Sequence, residues 1–214
     1  MANIDSNYFK VEEDPIKQNK VEDILSEGEN ILVRLKPNRK VYILEAIFKS
    51  LPIALLWAGI DTAIILAMAS SGAFSSMGFM SIFIIIFFAL HLLPVWLYVF
   101  NVIKKVGEYK NVEYVFTDQR IIIRSGLIGV DFKVFYYTSI SSVTVKVGLF
   151  DRMFHVGDLF LKTDNQTGVI EDIDHPYQYS SKIEKIILDI KTDIAYPNAL
   201  RPEENAGYKT RYKG

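Results

Sequence analysis

The chain has no cysteine, which excludes disulfides, thiolate zinc sites and a cysteine nucleophile. It also lacks any excess of charge of one sign: 24 Lys+Arg face 25 Asp+Glu over 214 residues, a formal net charge of -1. That balance removes the clustered basic surface that nucleic-acid binding needs to neutralise several phosphates. Histidine is scarce, and His91, His155 and His175 are each isolated in sequence. There is no Gly-rich phosphate loop, no His pair at metal spacing and no Gly-x-Ser-x-Gly elbow. The expectation is therefore a protein without catalytic residues, metal or cofactor, and without a nucleic-acid partner. The widest gap is regional. Between Lys49 and Lys104 there is no Lys, Arg or Glu, and Asp61 carries the one formal charge.

Apolar residues fill that gap. The stretch is about twice the roughly 20 residues that span a bilayer core, so it predicts two transmembrane helices, at 51–71 and 77–101. The run SSGAFSS (Ser70 to Ser76) supplies the turn between them. Core helices of a soluble domain would be shorter and would carry a polar stripe. Arg34, Lys36, Arg39, Lys40 and Lys49 precede the first helix, Lys104, Lys105 and Lys110 follow the second, and the turn has no basic residue. By the positive-inside rule both termini lie in the cytoplasm, in a multi-pass protein of the cell membrane. Trp96 and Tyr98 suit interfacial anchors near the cytoplasmic exit. The first twenty residues lack the basic and apolar regions of a signal peptide, so insertion is expected to depend on the hairpin itself.

Asp61 and His91 interrupt the apolar run, each about ten residues from the cytoplasmic end of its helix, or about 15 Å deep at 1.5 Å per residue. An antiparallel hairpin brings them face to face near the midplane, where an ionisable group needs a partner or a wet cavity. Three readings stay open: a proton- or ion-responsive pair, a hydrogen bond that sets helix register, or contact with a second subunit. Small residues recur four apart on two faces, Ala54 and Ala58 beside Asp61, and Gly59, Ala63 and Ala67 elsewhere. One row suits the partner helix and the other a neighbouring subunit. Pro94, a turn after His91, predicts a kink.

Beyond Lys110 the pattern changes to short β-rich runs at about 112–118, 120–126, 132–138, 141–149, 157–164 and 168–173, with Asp118-Gln119, Gly126 to Asp131 and Asn165 to Gly168 as turns. From Pro176 the period becomes helical, with Ile183, Ile186, Ile187 and Ile190 on one face. Strands followed by one amphipathic helix predict an α+β protein in which a rolled antiparallel sheet or open barrel is capped by the helix. The expected organisation is a flexible acidic tail (1–24), a cytoplasmic pre-membrane segment (25–50), the hairpin (51–101), the barrel domain (111–192) and a flexible tail (193–214).

The runs YVFTDQRIIIRSGLIG, YYTSISSVTVKVGLFDRMFHVGDLFLKTD and IEDIDHPYQYSSKIEKII resemble, in that order, the pleckstrin-homology-like (PH-like) domain of small bacterial membrane proteins. The upstream LSEGENILVRLKPNR is similar to the short segment of Gly-Glu, apolar strand and Arg/Lys-Pro that precedes paired transmembrane helices in that family. The resemblance implies a PH-like β-barrel and membrane anchorage, and little about chemistry. In PH-like folds basic residues around the first hairpin hold lipid phosphate, so Arg120, Arg124, Lys133 and Lys146 are candidate head-group contacts. Against this stand a solvated face, or ion pairs of the arginines with Asp118 or Asp131. Asp172, Asp174 and His175 look metal-like on paper, but Asp174 before His-Pro reads better as a helix N-cap with Pro176 at the first helical position. His155 near Asp158 reads as a turn histidine.

These readings favour a membrane-anchored, non-catalytic scaffold or protein/lipid interaction module that meets another membrane protein or self-associates through its hairpin. The rival is a small oligomeric transport or envelope-stress component using Asp61 and His91. Self-association predicts that crosslinking in membranes recovers species larger than the monomer; a ladder that stops at the monomer rejects it.

Overall fold

The computed structural model describes residues 20–73, 76 and 78–195. Its elements in chain order are β1 (Ile31–Leu35), α1 (Arg39–Ser70), α2 (Met80–His91), α3 (Leu93–Glu108), β2 (Glu113–Thr117), β3 (Arg120–Ser125), β4 (Asp131–Tyr136), β5 (Ser142–Lys146), α4 (Leu149–Phe154), β6 (Val156–Lys162), β7 (Thr167–Asp174) and α5 (Pro176–Ala195). Short 3₁₀ turns occupy Val21–Ile24 and Tyr137–Ser139.

The β-rich runs fold as antiparallel hairpins because their apolar residues alternate. In β2 and β3 this period places Tyr114, Phe116, Ile121 and Ile123 in the main core, and Val115 and Ile122 on the opposite face. That outer face is covered too, by Val21, Ile24 and Leu25 of the N-terminal 3₁₀ turn. Residues 21–24 are therefore part of the folded module and not of a flexible acidic tail. The expected tail at 193–214 likewise begins later, since α5 runs to Ala195; residues 1–19 and 196–214 lie outside the described residues.

The expected rolled sheet or open barrel is corrected to two sheets, one of four strands ordered β1-β2-β3-β4 and one of three ordered β5-β6-β7. The chain crosses between them at Tyr137–Ser139, so β4 and β5 are edges of different sheets. Face-to-face packing serves the same end as closure, burying Phe135, Tyr137, Leu159, Leu161, Ile170 and Ile173 in one shared core. Gly168 marks a close approach within this core: a Cβ there would meet the Phe135 ring at 2.4 Å. Ile183 and Ile187 of α5 enter this core, with Ile186 and Ile190 packed against it, as the helical period predicts.

The segment expected to precede the membrane (25–50) supplies one strand to the sheet and the first turns of α1. β1 pairs with β2, Leu35 opposite Tyr114 and Val33 opposite Phe116, so the apolar helices are an insertion between two adjacent strands. The Thr-Asp-x-Arg run that begins the resemblance is what fastens this edge. The Thr117 hydroxyl accepts from the backbone N–H of Gln119 and Arg120 and closes the hairpin, and Asp118 Oδ1 accepts from Asn30 N–H at 3.1 Å. Arg120 donates to both carboxylate oxygens of Glu29, at 2.9 and 2.7 Å, and to the Ile24 carbonyl.

The helices also depart from expectation. α1 starts at Arg39, a dozen residues before the predicted span, with the Asn38 side chain accepting from Lys40 N–H at its N-cap. The second predicted helix is two, bent by 46° at Leu92. Pro94 lacks an N–H and its ring crowds the carbonyl four residues back, so the ladder breaks there. α1 is long and apolar enough to cross a membrane, and α2 with α3 qualifies as a second span when the bent pair is taken together.

Two outcomes follow from the Glu29–Arg120 pair, whose side chains are at most 9% exposed. Glu29→Ala strands a buried guanidinium and lowers unfolding free energy by about 3–5 kcal/mol in denaturant titration. Burial pushes the Glu29 carboxyl up, but hydrogen bonds from Arg120 and the Ser26 N–H outweigh it and hold it below the ordinary 4.5. The pair's contribution is thus complete above pH 4.5 and lost as the pH falls through the lower folded value. Acid unfolding of the parent chain loses this increment, and Glu29→Ala does not.

Candidate functional site

α1 runs antiparallel to the bent helix, and its Ala54, Ala58 and Asp61 side is turned inward while Gly59, Ala63 and Ala67 are exposed. His91 Nδ1 and Asp61 Oδ1 lie 2.8 Å apart, so the two polar residues meet as the hairpin geometry requires. Asp61 is 1% exposed, and its Oδ2 is buried without a hydrogen-bond partner. The kink supplies the rest of the site. Breaking the helix at Leu92 frees carbonyls on the turn before it, and two indoles take them: Trp57 Nε1 donates to His91 O at 2.8 Å and Trp96 Nε1 to Ala89 O at 3.0 Å. The Phe87 ring stacks on His91 at 5.3 Å between centroids, and Trp57 lies at 5.4 Å. Trp57 is the member that sequence reasoning missed. Its signal was available, as it lies one helical turn before Asp61 on a helix antiparallel to one with a proline kink.

The four basic residues proposed for lipid phosphate do not converge. Arg120 is buried in its pair with Glu29, and not with Asp118 or Asp131. Arg124 lies 3.9 Å from Glu113, which also holds Arg34. Lys146 rests over the Phe160 ring at 4.3 Å. Lys133 faces a different place, a cavity of about 340 Å³ between the roots of α1 and α3 and the four-stranded sheet. Lys105 lines the same cavity, 2.7 Å from Glu171 and 3.8 Å above the Tyr42 ring. Glu171 N–H donates to the Tyr114 hydroxyl. Burial pushes that hydroxyl far above its usual range, so it stays protonated.

A second polar group lies at the same junction. Asp158 on β6 and Asp172 on β7 flank an irregularity in strand register, where Asp172 takes a left-handed φ of 53° and donates its N–H to Asp158 Oδ1. Asp172, Asp151 of α4 and Glu45 of α1 each bring one carboxylate oxygen within 4.8 Å of the others. Burial, then the charges of Glu45, Asp158 and Asp151, push the Asp172 carboxyl up to about 8. Desolvation raises Asp158 as well. Of the metal-like trio read from sequence, only Asp172 is in this group. Asp174 is exposed, and the His175 carbonyl accepts from Gln178 and Tyr179 N–H at the start of α5. His155 ends α4 in a left-handed conformation. Glu45 and Asp151 carried no spacing signal because they reach the site from separate elements.

A family model for the bacterial PH domain matches residues 51–189, more than half of the chain. The chain belongs to the bacterial PH domain family. Among solved structures it is similar to a DUF1696 family protein with a pleckstrin-homology domain from Shewanella loihica PV-4, at 23% identity over 34% of this chain and 68% of that one, with a TM-score of 0.28. No curated protein matches it.

Asp61 and Trp57 are the two α1 residues that bond to His91 at the bend, through its Nδ1 and its carbonyl. Asp61→Ala and Trp57→Phe each lower the thermal stability of the detergent-solubilised chain by about 0.5–1.5 kcal/mol. Ile60→Ala, on an exposed position of the same helix, changes it by less.

Proposed function

We propose that the chain is a membrane-anchored PH-like module that acts without catalysis as a scaffold for another protein at the cytoplasmic membrane. The observation that carries this reading is the insertion of the apolar helices, with Asp61 as the one formal charge between Lys49 and Lys104, between β1 and β2. Their outward residues, among them Ile53, Leu55, Leu56, Leu66, Ile85 and Phe87, are all more than half exposed. Contiguous apolar surface of this extent is suited to lipid or to neighbouring helices. The positive collar at both helix roots and its absence from the turn support cytoplasmic termini. Because the insertion is anchored at both ends in the sheet, the module sits against the bilayer without a flexible linker.

A protein partner suits the surface better than a lipid phosphate. Arg120 is committed to Glu29 and Arg124 lies beside Glu113. Meanwhile the seam where the two sheets fail to pair opens a cleft of about 620 Å³, bounded by Val134 to Tyr136, Ser139 to Ser141, Asp164 to Gln166 and Lys191. The exposed Gly59–Ala63–Ala67 row offers a second contact, for self-association within the membrane. The transport reading draws on the buried Asp61–His91 pair, but a single hairpin encloses no pathway, so it requires an oligomer. Asp61→Asn separates the two: partner recovery is unchanged if the pair is structural, and a pH-dependent activity is lost if it carries ions.

The absence of native cysteine makes topology directly readable. Single Ser71→Cys is expected to react with a membrane-impermeant thiol reagent on intact cells, and Asn165→Cys only after permeabilisation. The reverse pattern inverts the topology, and reaction of both in intact cells rejects the anchored reading.

A further inference from the structure

We propose that Glu45, Asp151 and Asp172 bind one hard divalent cation, of the calcium or magnesium class, at the joint between α1 and the three-stranded sheet. The three carboxylates come from a helix root, a short helix and a strand, yet one oxygen of each lies within 4.8 Å of the other two. Metal–oxygen distances of about 2.0–2.6 Å place opposed ligands of such a cation about 4–5 Å apart. Two of the three residues are deeply buried, Asp151 at 1% and Asp172 at 2% exposure, and each keeps a buried Oδ1 with no hydrogen-bond donor. A buried carboxylate oxygen without a donor is costly, and a bound cation removes the cost.

The surroundings orient these groups and do not neutralise them. Asp151 Oδ2 accepts from Gly148 N–H at 2.7 Å, which fixes the carboxylate and leaves Oδ1 buried without a donor. Asp172 is held in its left-handed conformation by its N–H bond to Asp158 Oδ1, and its carbonyl accepts from Asn38 N–H at the start of α1. Asp158 adds a fourth acidic group beside the three. Among the described residues no Lys, Arg or His forms an ion pair with any of the four, and Lys105, at the same junction, is bonded to Glu171. The donor set is carboxylate oxygen with no imidazole or thiolate, which selects hard cations over zinc or copper. Occupancy would tie Glu45, and with it the root of α1, to α4 and β7. Together with the Phe48–Phe150 contact, at 5.2 Å between centroids, this fixes the angle at which the helices leave the module.

The test uses the full chain in detergent micelles after chelator treatment, with Mn²⁺ as a paramagnetic probe. One saturable Mn²⁺ per chain is expected, displaced by Ca²⁺ or Mg²⁺, and a hundredfold excess of the preferred cation over its Kd raises Tm by about 5–10 °C. Glu45→Gln and Asp172→Asn each weaken Mn²⁺ binding at least about tenfold, whereas Glu184→Gln on the exposed face of α5 leaves it unchanged. No saturable binding to the parent chain overturns the proposal and leaves a proton shared between Asp151 and Asp172 as the remaining way to satisfy them. Saturable binding that survives Glu45→Gln with the fold intact also overturns it, because the ion then sits elsewhere. Should Asp172→Asn fail to fold, the parent stoichiometry and Glu45→Gln decide.

Discussion

The pairing of β1 with β2 is the constraint on which the remaining architecture depends. Leu35 lies opposite Tyr114, so the chain leaves the sheet for the apolar helices and returns to it at neighbouring positions. A helical insertion closed in this way has both roots held by the same ladder, and its ends are brought together by the sheet and not by a turn alone. β1 is an edge strand and its ladder is short. Its security comes from the contacts around it: the buried Glu29–Arg120 pair, the Asn30–Asp118 bonds, and the 3₁₀ turn laid over Val115 and Ile122. Removing one partner from the buried pair costs more than any surface ion pair here contributes, so this corner concentrates the stability of the insertion point.

The roots continue the same logic inward. Tyr42, near the start of α1, is counted in the module's main core beside Tyr114 and Val112. Lys105 at the end of α3 bridges from the Tyr42 ring to Glu171 on β7. The helices are thereby continuous with the hydrophobic core and not attached to it by linkers. The acidic group of Glu45, Asp151 and Asp172 lies at this joint as well, which makes it the place where polar interactions decide how helices and sheets sit together.

Much of this architecture is legible in the sequence alone. Six of the seven strands, α5 and the apolar insertion follow from periodicity, and the Asp61–His91 contact follows from equal depth in an antiparallel hairpin. Pro94 announced the bend, though not that it would divide the helix at Leu92. The family resemblance marks ILVRL as an apolar strand, but five residues next to a long helix carry too little alternation to reveal its partner, which lies beyond the helices. The division into two sheets, where a rolled sheet or open barrel is the expectation, escapes the pattern for a related reason. Strand count and a capping helix are equally compatible with one rolled sheet and with two packed sheets, and the difference lies in whether β4 pairs with β5.

The roles of charged residues were the least legible. Arg120 and Arg124 share a strand face in any reading, but only tertiary structure brings Glu29 against Arg120 and turns a candidate lipid contact into an internal pair. Composition and local pattern determined where the chain is apolar, where it alternates and where it turns, because those depend on solvent transfer and backbone geometry within a few residues. Tertiary structure decided which carboxylate meets which cation and which carboxylates meet each other. Those outcomes depend on distances between segments far apart in the chain, and they acquire their energy only when folding removes water from between them.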